Sequence, residues 1–339
     1  PRPPAEGSGA FPFRGGCWDG PVSCNGGAAG GRAKRAPRRL QGLVCFMRRV
    51  APLSAMKTET VPRSDLTSRL RSQRIRLAVL WLAMLGWPLV APNDYILSLG
   101  VMFFINLLLV ASLNLVLGYA GQISMCHGAL FGLGAYVSGV LSVRYDLSPL
   151  AGIAAATAAA AAVATLIALP TLRLRGHYLA MGTLGFNAIL SVLFVELVPL
   201  TGGPNGLSGI APVRVFGIEL VTPGQYFPLA WAAGFAGMFL ILNLVTSRHG
   251  RALRAVAVSE IAAGALGADA FRLKVAVFAF SAALAGLAGA LYAHFNLFAS
   301  PETFGFFTSV LLIVMVALGG WGTYWGPMLG ALVYTAVPE

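Results

Sequence analysis

Gln122, Ser124, Cys126 and His127 fall within six residues of one another in LGYAGQISMCHGALFGLGAY, residues 117–136, a stretch otherwise made of glycine and apolar side chains. Three kinds of chemistry could use such a cluster. A phosphate cradle needs G-x-x-x-x-G-K-[ST], or G-x-G-x-x-G following a strand. The chain has no instance of the first, and Gly132-Leu133-Gly134 lacks the third glycine of the second, so phosphate binding is not supported. A metal site needs several converging ligands. Cys126 and His127 are adjacent, so their side chains diverge on a helix, and no acidic, His or Cys partner stands at ligand spacing; no metal is expected. Two readings remain open. The segment is either a tight turn of small residues built for packing, or a broken helix whose freed backbone and polar side chains face an aqueous path through a membrane.

The rest of the chain favours a membrane setting. Of its 339 residues 57% are hydrophobic and 11% charged, with a mean hydropathy of +0.75. Soluble domains carry about 25% charged residues, so there is too little charge here to coat a globule of this size. The net charge of +12 does not form a nucleic-acid surface, because 15 of the 24 Lys and Arg residues lie at or before Arg76. A basic leader ahead of apolar spans points instead to anionic lipid and a cytoplasmic N-terminus. Cys17, Cys24, Cys45 and Cys126 have neither zinc spacing nor the pattern of a disulfide framework. Residues 1–46 are rich in Gly, Pro, Ala and Arg without periodicity. They read either as translated upstream sequence, with the start at Met47 or Met56, or as a disordered basic tail. Residues 47–76 form a basic cytoplasmic segment, and 77–339 the membrane domain, with a C-terminus expected to be truncated just after an apolar run.

A membrane helix needs about 20 mostly apolar residues. Candidate spans are Leu77–Val90, Tyr95–Leu117, His127–Val143, Leu150–Leu169, His177–Val198, Phe227–Val245, Val275–Leu297, Phe304–Leu318 and an incomplete Trp325–Val337. The expected fold is therefore an all-α polytopic bundle of about eight or nine spans. With the N-terminus inside, alternation puts TLRLRG (171–176) and the loop 247–274 in the cytoplasm, where basic loops belong. Residues 200–225 and 300–303 fall outside; Arg144 and Arg214 dissent singly. A re-entrant path near 118–127 would shift the early crossings. Gly128 and Gly132, and Ala282, Gly286 and Ala290, recur every four residues, which lets helix backbones approach closely in lipid. Asn106, Asn114, Gln122, Asn187 and Glu196 are polar groups in or beside spans; each needs a partner, in another helix or in a transported solute.

SRHGRALRAVAVSEIAAGALGADAFRLKVAVF, residues 247–278, is too polar at its start to span yet has helical pattern. Ala255, Val258, Ala262 and Leu266 fall at helical spacing, and basic residues bracket the segment. This reads as a short amphipathic cytoplasmic helix, either docking into a partner's groove or lying on the membrane surface.

At this point the chain resembles a known family, the permease subunits of branched-chain amino acid ABC importers. Glu260-Ile261-Ala262-Ala263-Gly264-Ala265-Leu266-Gly267 is similar to the Glu-Ala-Ala…Gly coupling segment of ABC importer permeases, with an Ile inserted after the Glu. NLVLGYAGQISMCHGALFGLGAY, LRLRGHYLAMGTLGF, LTGGPNGLSGI, GRALRAVAVSEIAAGALG, ALAGLAGALYAHFNLFASPETF and LGGWGTYWGPMLGALV match in order, covering about residues 77–339. TLRLRG and LTGGPNGLSGI resemble the M-type permease more than its H-type partner. Cys126 departs from the usual Gly, and Gly128 from a frequent Ala; the family also continues into a further C-terminal span.

The resemblance implies a multi-pass bacterial inner-membrane subunit that is not itself an enzyme. A second permease subunit would complete the path. A periplasmic binding protein would deliver Leu, Ile or Val, and two cytoplasmic ATPase subunits would hydrolyse ATP with Mg²⁺; no cofactor would bind this chain directly. Glu260, Ala262, Ala263 and Gly267 would couple to the ATPases. Thr201, Gly202, Gly203 and Asn205 are candidates for the binding-protein contact, although their turn-forming types also suit a plain turn. Asn114, Gln122, Ser124, His127 and Asn187 are candidates for the translocation path, with helix-to-helix hydrogen bonding the competing role. Related permeases carry urea or short amides, which is the alternative substrate class. A secondary transporter would instead show internal repeats and intramembrane ionisable groups. An intramembrane enzyme would need a nucleophile–base constellation, which the scattered His127, His177 and His294 do not provide.

Overall fold

The computed structural model describes residues 93–336 apart from 175 and 216, together with Trp81, Met84 and Gly86. The basic leader 1–46, the possible starts Met47 and Met56, the segment 47–76, most of the candidate span Leu77–Val90 and residues 337–339 lie outside the described residues. What is described belongs to the compact unit Leu70–Glu339.

The unit is all-α apart from two short antiparallel ribbons. Among the described residues its α-helices of six residues or more are α1 (Asp94–Asn114, continued by a π-helical turn Leu115–Tyr119), α2 (His127–Tyr145), α3 (Pro149–Thr171), α4 (His177–Glu196), α5 (Pro223–Thr246), α6 (Arg248–Val258), α7 (Glu260–Ala265), α8 (Ala270–Asn296), α9 (Phe306–Gly319) and α10 (Gly326–Ala336). Among the described residues five helices are long and apolar enough to cross a membrane: α1 with its π turn, α3, α4, α5 and α8. These match five of the expected spans within a few residues. The 14-residue α9 is apolar but short, and the 11-residue α10 is shorter still.

α2 and α8 form the centre of the bundle. Their backbones touch because glycines face each other: a Cβ on Gly134 would overlap the Gly286 backbone, and one on Gly289 would overlap the Phe131 carbonyl. Ala282, Gly286 and Ala290 lie on the buried side of α8, as their spacing predicts, and a Cβ on Gly286 would overlap Ala160 of α3. With no hydrophobic drive between helices in lipid, this close packing supplies the association energy. Gly128 and Gly132 face residues 304–309 instead.

α4 buries only Leu179, Thr183, Asn187, Leu190 and Phe194, a single stripe at three- and four-residue spacing, and leaves Tyr178, Met181, Ile189 and Val192 exposed. An exposed apolar face of this kind suits lipid or another membrane subunit.

The connections sort into two ends. One gathers 118–122, 172–176, 246–269 and 320–325: Arg254 stacks over Tyr119, Gly121 lies against Ala257, and Asn114 bonds the 322–323 turn. The other gathers 197–222 and 297–305. There β1 (Leu207–Ser208) pairs with β4 (Phe298–Ala299), beside the ribbon of β2 (Arg214–Val215) and β3 (Ile218–Glu219). His294 joins that loop to the core, bonding Ala211 O at 2.8 Å and Ser138 Oγ at 2.7 Å. The alternation read from charge thus groups the same loops together.

Candidate functional site

The opening cluster lies at a true break in the backbone. α1 loosens into the π turn at Leu115–Tyr119, with Ala120 N donating to Leu115 O at 3.3 Å and Gln122 N to Val116 O at 3.0 Å. Gly121 then takes φ +65, a left-handed conformation that a side chain would strain. Residues 120–126 have no regular structure, and helix resumes at His127. His127 bonds Ser281, eleven residues into α8, so α2 begins roughly 16 Å into the bundle at 1.5 Å per helical residue. The segment is therefore re-entrant. The turn and the broken helix meet in it: a turn at Gly121, then an irregular leg that dips between helices. Irregular backbone at such depth persists only where protein or an aqueous cavity surrounds it.

Here side chains from distant parts of the chain converge. His127 Nδ1 lies 3.0 Å from Ser124 Oγ, and Nε2 lies 2.7 Å from Ser281 Oγ. Ser281 Oγ donates to Ser112 O at 2.6 Å. Because the Ser281 proton is committed to that carbonyl, its oxygen must accept from Nε2–H. In a neutral ring Nδ1 then accepts from Ser124 Oγ. The chain of bonds ties the re-entrant leg to α8 and α1. Beside it, Met125 N donates to Thr183 Oγ1 at 3.1 Å, fastening the same leg to α4. Asn187 Oδ1 accepts from Ser309 Oγ at 3.4 Å, and Ser309 Oγ accepts from Gly128 N at 3.0 Å. Asn114 is used fully, with Nδ2 donating to Thr323 O at 2.9 Å and Oδ1 accepting from Gly322 N at 3.0 Å.

Of the five candidate path residues, Asn114, Ser124, His127 and Asn187 are thus held in bonds within the protein: Asn114 to the 322–323 turn, Ser124 to His127 beside it, and His127 and Asn187 to neighbouring helices. Gln122 is the exception. It is only 3% exposed, and neither Oε1 nor Nε2 has a partner among the described residues.

The segment 247–269 departs from a single amphipathic helix. It forms two helices, because Ser259 leaves helical geometry at φ −156 and caps α7 by accepting from Ala262 N at 3.3 Å. Ser247 caps α6 likewise, accepting from Gly250 N. α7 ends at Leu266, and Gly267 follows at φ +83. Val258, Ile261 and Leu266 are 89%, 85% and 86% exposed, and a Cβ on Gly264 or Gly267 would meet only open space. Ala262 is exposed with them, whereas Ala263 is buried. Glu260 forms an ion pair with Lys274 at the start of α8. Sequence reasoning passed over that pair, whose members are fourteen residues apart.

At the other end Thr201 and Gly203 are buried and Asn205 exposed. Thr201 Oγ1 donates to Leu197 O and accepts from Gly203 N, and Gly202 packs on the Gly206 carbonyl. The turn is closed by its own bonds, with Asn205 at its surface. Among the described residues no three His, Cys, Asp or Glu side chains are grouped to hold a metal.

The family profile described as branched-chain amino acid transport system / permease component matches residues 95–339. The chain is 32% identical over 295 residues to the high-affinity branched-chain amino acid transport system permease protein LivM of Escherichia coli K12, covering 79% of this chain and 68% of that protein. The LivM protein of Salmonella typhimurium matches to the same extent. The permease protein LivH of Salmonella typhimurium is 27% identical over 241 residues, 65% of this chain and 76% of LivH. No solved structure matches the chain.

Proposed function

The chain belongs to the family of branched-chain amino acid transport permease components, and from that membership we propose that it is the M-type permease subunit of an ATP-driven importer of Leu, Ile and Val. It works as a multi-pass membrane protein beside a second permease subunit of the H type. A periplasmic binding protein delivers the amino acid to the end that carries 197–222, with Asn205 at the exposed turn. Two ATPase subunits bind at the end that carries 247–269 and use ATP and Mg²⁺ there, while this chain performs no bond chemistry. The basic residues support this orientation: Arg173, Arg248, Arg251, Arg254, Arg272 and Lys274 lie at the second end, and basic loops favour the cytoplasmic side.

The observation that carries the reading is the exposed apolar face of Val258, Ile261 and Leu266 between two spans. Large aliphatic side chains this open mark a docking surface, and the uncrowded Gly264 and Gly267 let a partner groove close around them. Arg254 on Tyr119 and Glu260 on Lys274 connect that face to the re-entrant segment and to α8. ATPase closure would travel by these contacts into the bundle.

Co-purification tests the reading. ATPase subunits should accompany the wild-type permease and be lost on Gly267→Trp and on Ile261→Asp, together with ATP-driven leucine uptake in proteoliposomes. Unchanged association and uptake in both variants would refute the docking role.

A further inference from the structure

α6 carries a row of positive charge that no carboxylate among the described residues answers. Arg248, Arg251 and Arg254 stand three positions apart and all are exposed. Each comes two positions before a buried residue, Gly250, Leu253 and Val256, and two positions are about 200° of helical turn. The arginines therefore share the face opposite the one packed on the bundle. Residues 248–258 contain no Asp or Glu. The ion pairs among the described residues are Arg214–Glu219, Arg272–Asp269 and Lys274–Glu260, so none of the three arginines belongs to one. Arg251 spends a single N–H, from Nη1 to Thr246 O at 3.3 Å. Arg254 spends only the flat of its guanidinium, 5.4 Å from the centre of the Tyr119 ring. A guanidinium has five N–H donors, so most of those along this row, about 9 Å long at 1.5 Å per residue, have no protein acceptor among the described residues.

The row lies at the depth of lipid headgroups. α5 runs for 24 residues, roughly 36 Å at 1.5 Å per residue. That length crosses a hydrocarbon core of about 30 Å and brings Thr246 to its edge. α6 starts two residues later, behind the Ser247 cap. A second feature marks the same level. The π turn that Arg254 covers also packs on the 320–325 turn, through Gly118 on Gly322, and that turn exposes Trp321 and Trp325. Exposed tryptophans of membrane proteins gather at the boundary between headgroups and water. On its exposed side α6 offers little apolar bulk, only Ala255 and Val258 beside the arginines. Its attraction to a bilayer is therefore electrostatic rather than a matter of insertion.

We propose that α6 binds anionic phospholipid, with Arg248, Arg251 and Arg254 holding the phosphodiester headgroups. Guanidinium groups pair with phosphate oxygens through two parallel N–H bonds, and stacking on Tyr119 leaves the N–H edge of Arg254 free for such a bond. An acidic protein surface carries the same sign of charge, but the row begins two residues from the end of a span, where lipid headgroups already are. The break at Ser259 then divides 247–269 by partner. α6 lies on the bilayer, and α7 presents Ile261 and Leu266 to protein. The cytoplasmic leaflet follows from the orientation proposed above; the lipid chemistry rests on α6 alone.

The test is photocrosslinking in the complete importer, held in phosphatidylcholine nanodiscs with a trace of phosphatidylglycerol that carries a diazirine on its headgroup. Mass spectrometry should map crosslinks to residues 247–258. Unlabelled phosphatidylglycerol should compete them away, and inorganic phosphate should not. Each arginine near an anionic surface contributes about fivefold in binding. Arg248→Gln combined with Arg251→Gln should therefore lower the yield tenfold or more, whereas the corresponding pair of Lys substitutions, which keeps the charge, should retain most of it. Raising the salt should weaken the wild-type signal. Helix content and ATPase co-purification should stay unchanged in the Gln pair. No crosslink in 247–258, a yield undiminished in the Gln pair, or competition by phosphate would overturn the lipid site. Loss of ATPase subunits from the Gln pair would also overturn it, by giving the row to a protein partner. ATP-driven leucine uptake, measured separately, decides the transport reading; crosslinking without uptake leaves the lipid site standing, and uptake without crosslinking removes it.

Discussion

The bond between His127 and Ser281 should be measurable as a coupling energy. His127 is fully buried, its Nε2 lies 2.7 Å from Ser281 Oγ, and Ser281 passes its own proton to Ser112 O at 2.6 Å. Ser281→Ala removes both bonds of that hydroxyl and leaves Nε2–H facing a methyl group. His127→Ala removes two bonds and the ring that packs edge-on to Phe278, so its cost mixes polar loss with a cavity. A double-mutant cycle cancels the cavity and isolates the pair. Hydrogen bonds between membrane helices average about 0.6 kcal/mol, with a ceiling of about 1.7. Good geometry and complete burial put this pair toward the upper part of that range. At 1.4 kcal/mol per factor of ten, the coupling is roughly 3- to 20-fold in the unfolding equilibrium. Reversible unfolding of wild type, both single variants and the double variant in mixed micelles would read it. Strictly additive single effects would refute the assignment of a continuous His127–Ser281–Ser112 tie.

Four further outcomes follow from the packing, the caps and the loop tie. Gly289→Leu should destabilise the bundle by about 1–3 kcal/mol or more, because its Cβ overlaps the Phe131 carbonyl and α2 and α8 must separate. Gly185→Ala, with nothing near its Cβ, should leave thermal stability unchanged or slightly raised. Ser259→Ala removes the α7 cap, worth about 0.5–2 kcal/mol, so amide exchange at 260–265 should quicken roughly 2- to 30-fold and Ser259→Asp should restore it. His294→Leu cuts the tie from α8 to Ala211 and Ser138; limited proteolysis between 209 and 217 should then run faster at unchanged helix content.

How far the sequence reached depends on the range of the interaction. Spans such as Tyr95–Leu117 and Val275–Leu297 were legible because hydropathy over 20 residues is a local property, and the structure ends those helices within a few residues of the expectation. The buried face of Ala282, Gly286 and Ala290 was legible from spacing alone. The break at Ser259 had a local signal that went unweighted, a serine directly before Glu260 at the start of an alanine-rich turn. The ties His127–Ser281 and His294–Ser138 join residues more than 150 positions apart, and nothing near either histidine announces a partner. Gln122 could be marked as polar and costly in lipid. That it alone of the five candidates lacks a partner among the described residues emerges only when the bonds of the other four are traced.

The position of the Glu260–Lys274 pair determines what a docked partner would do. Glu260 opens α7, whose exposed face is Ile261 and Leu266, and Lys274 sits at the start of α8, the best-buried long helix after α1. α8 is locked to α2 by glycine contacts and cannot yield easily. A push on α7 therefore falls first on the ion pair. If the pair carries that push, Lys274→Met should leave association with a partner on the α7 face intact while ATP-driven uptake falls, because docking and transport are then uncoupled. Uptake unchanged in Lys274→Met would show that the pair does not transmit the motion of α7.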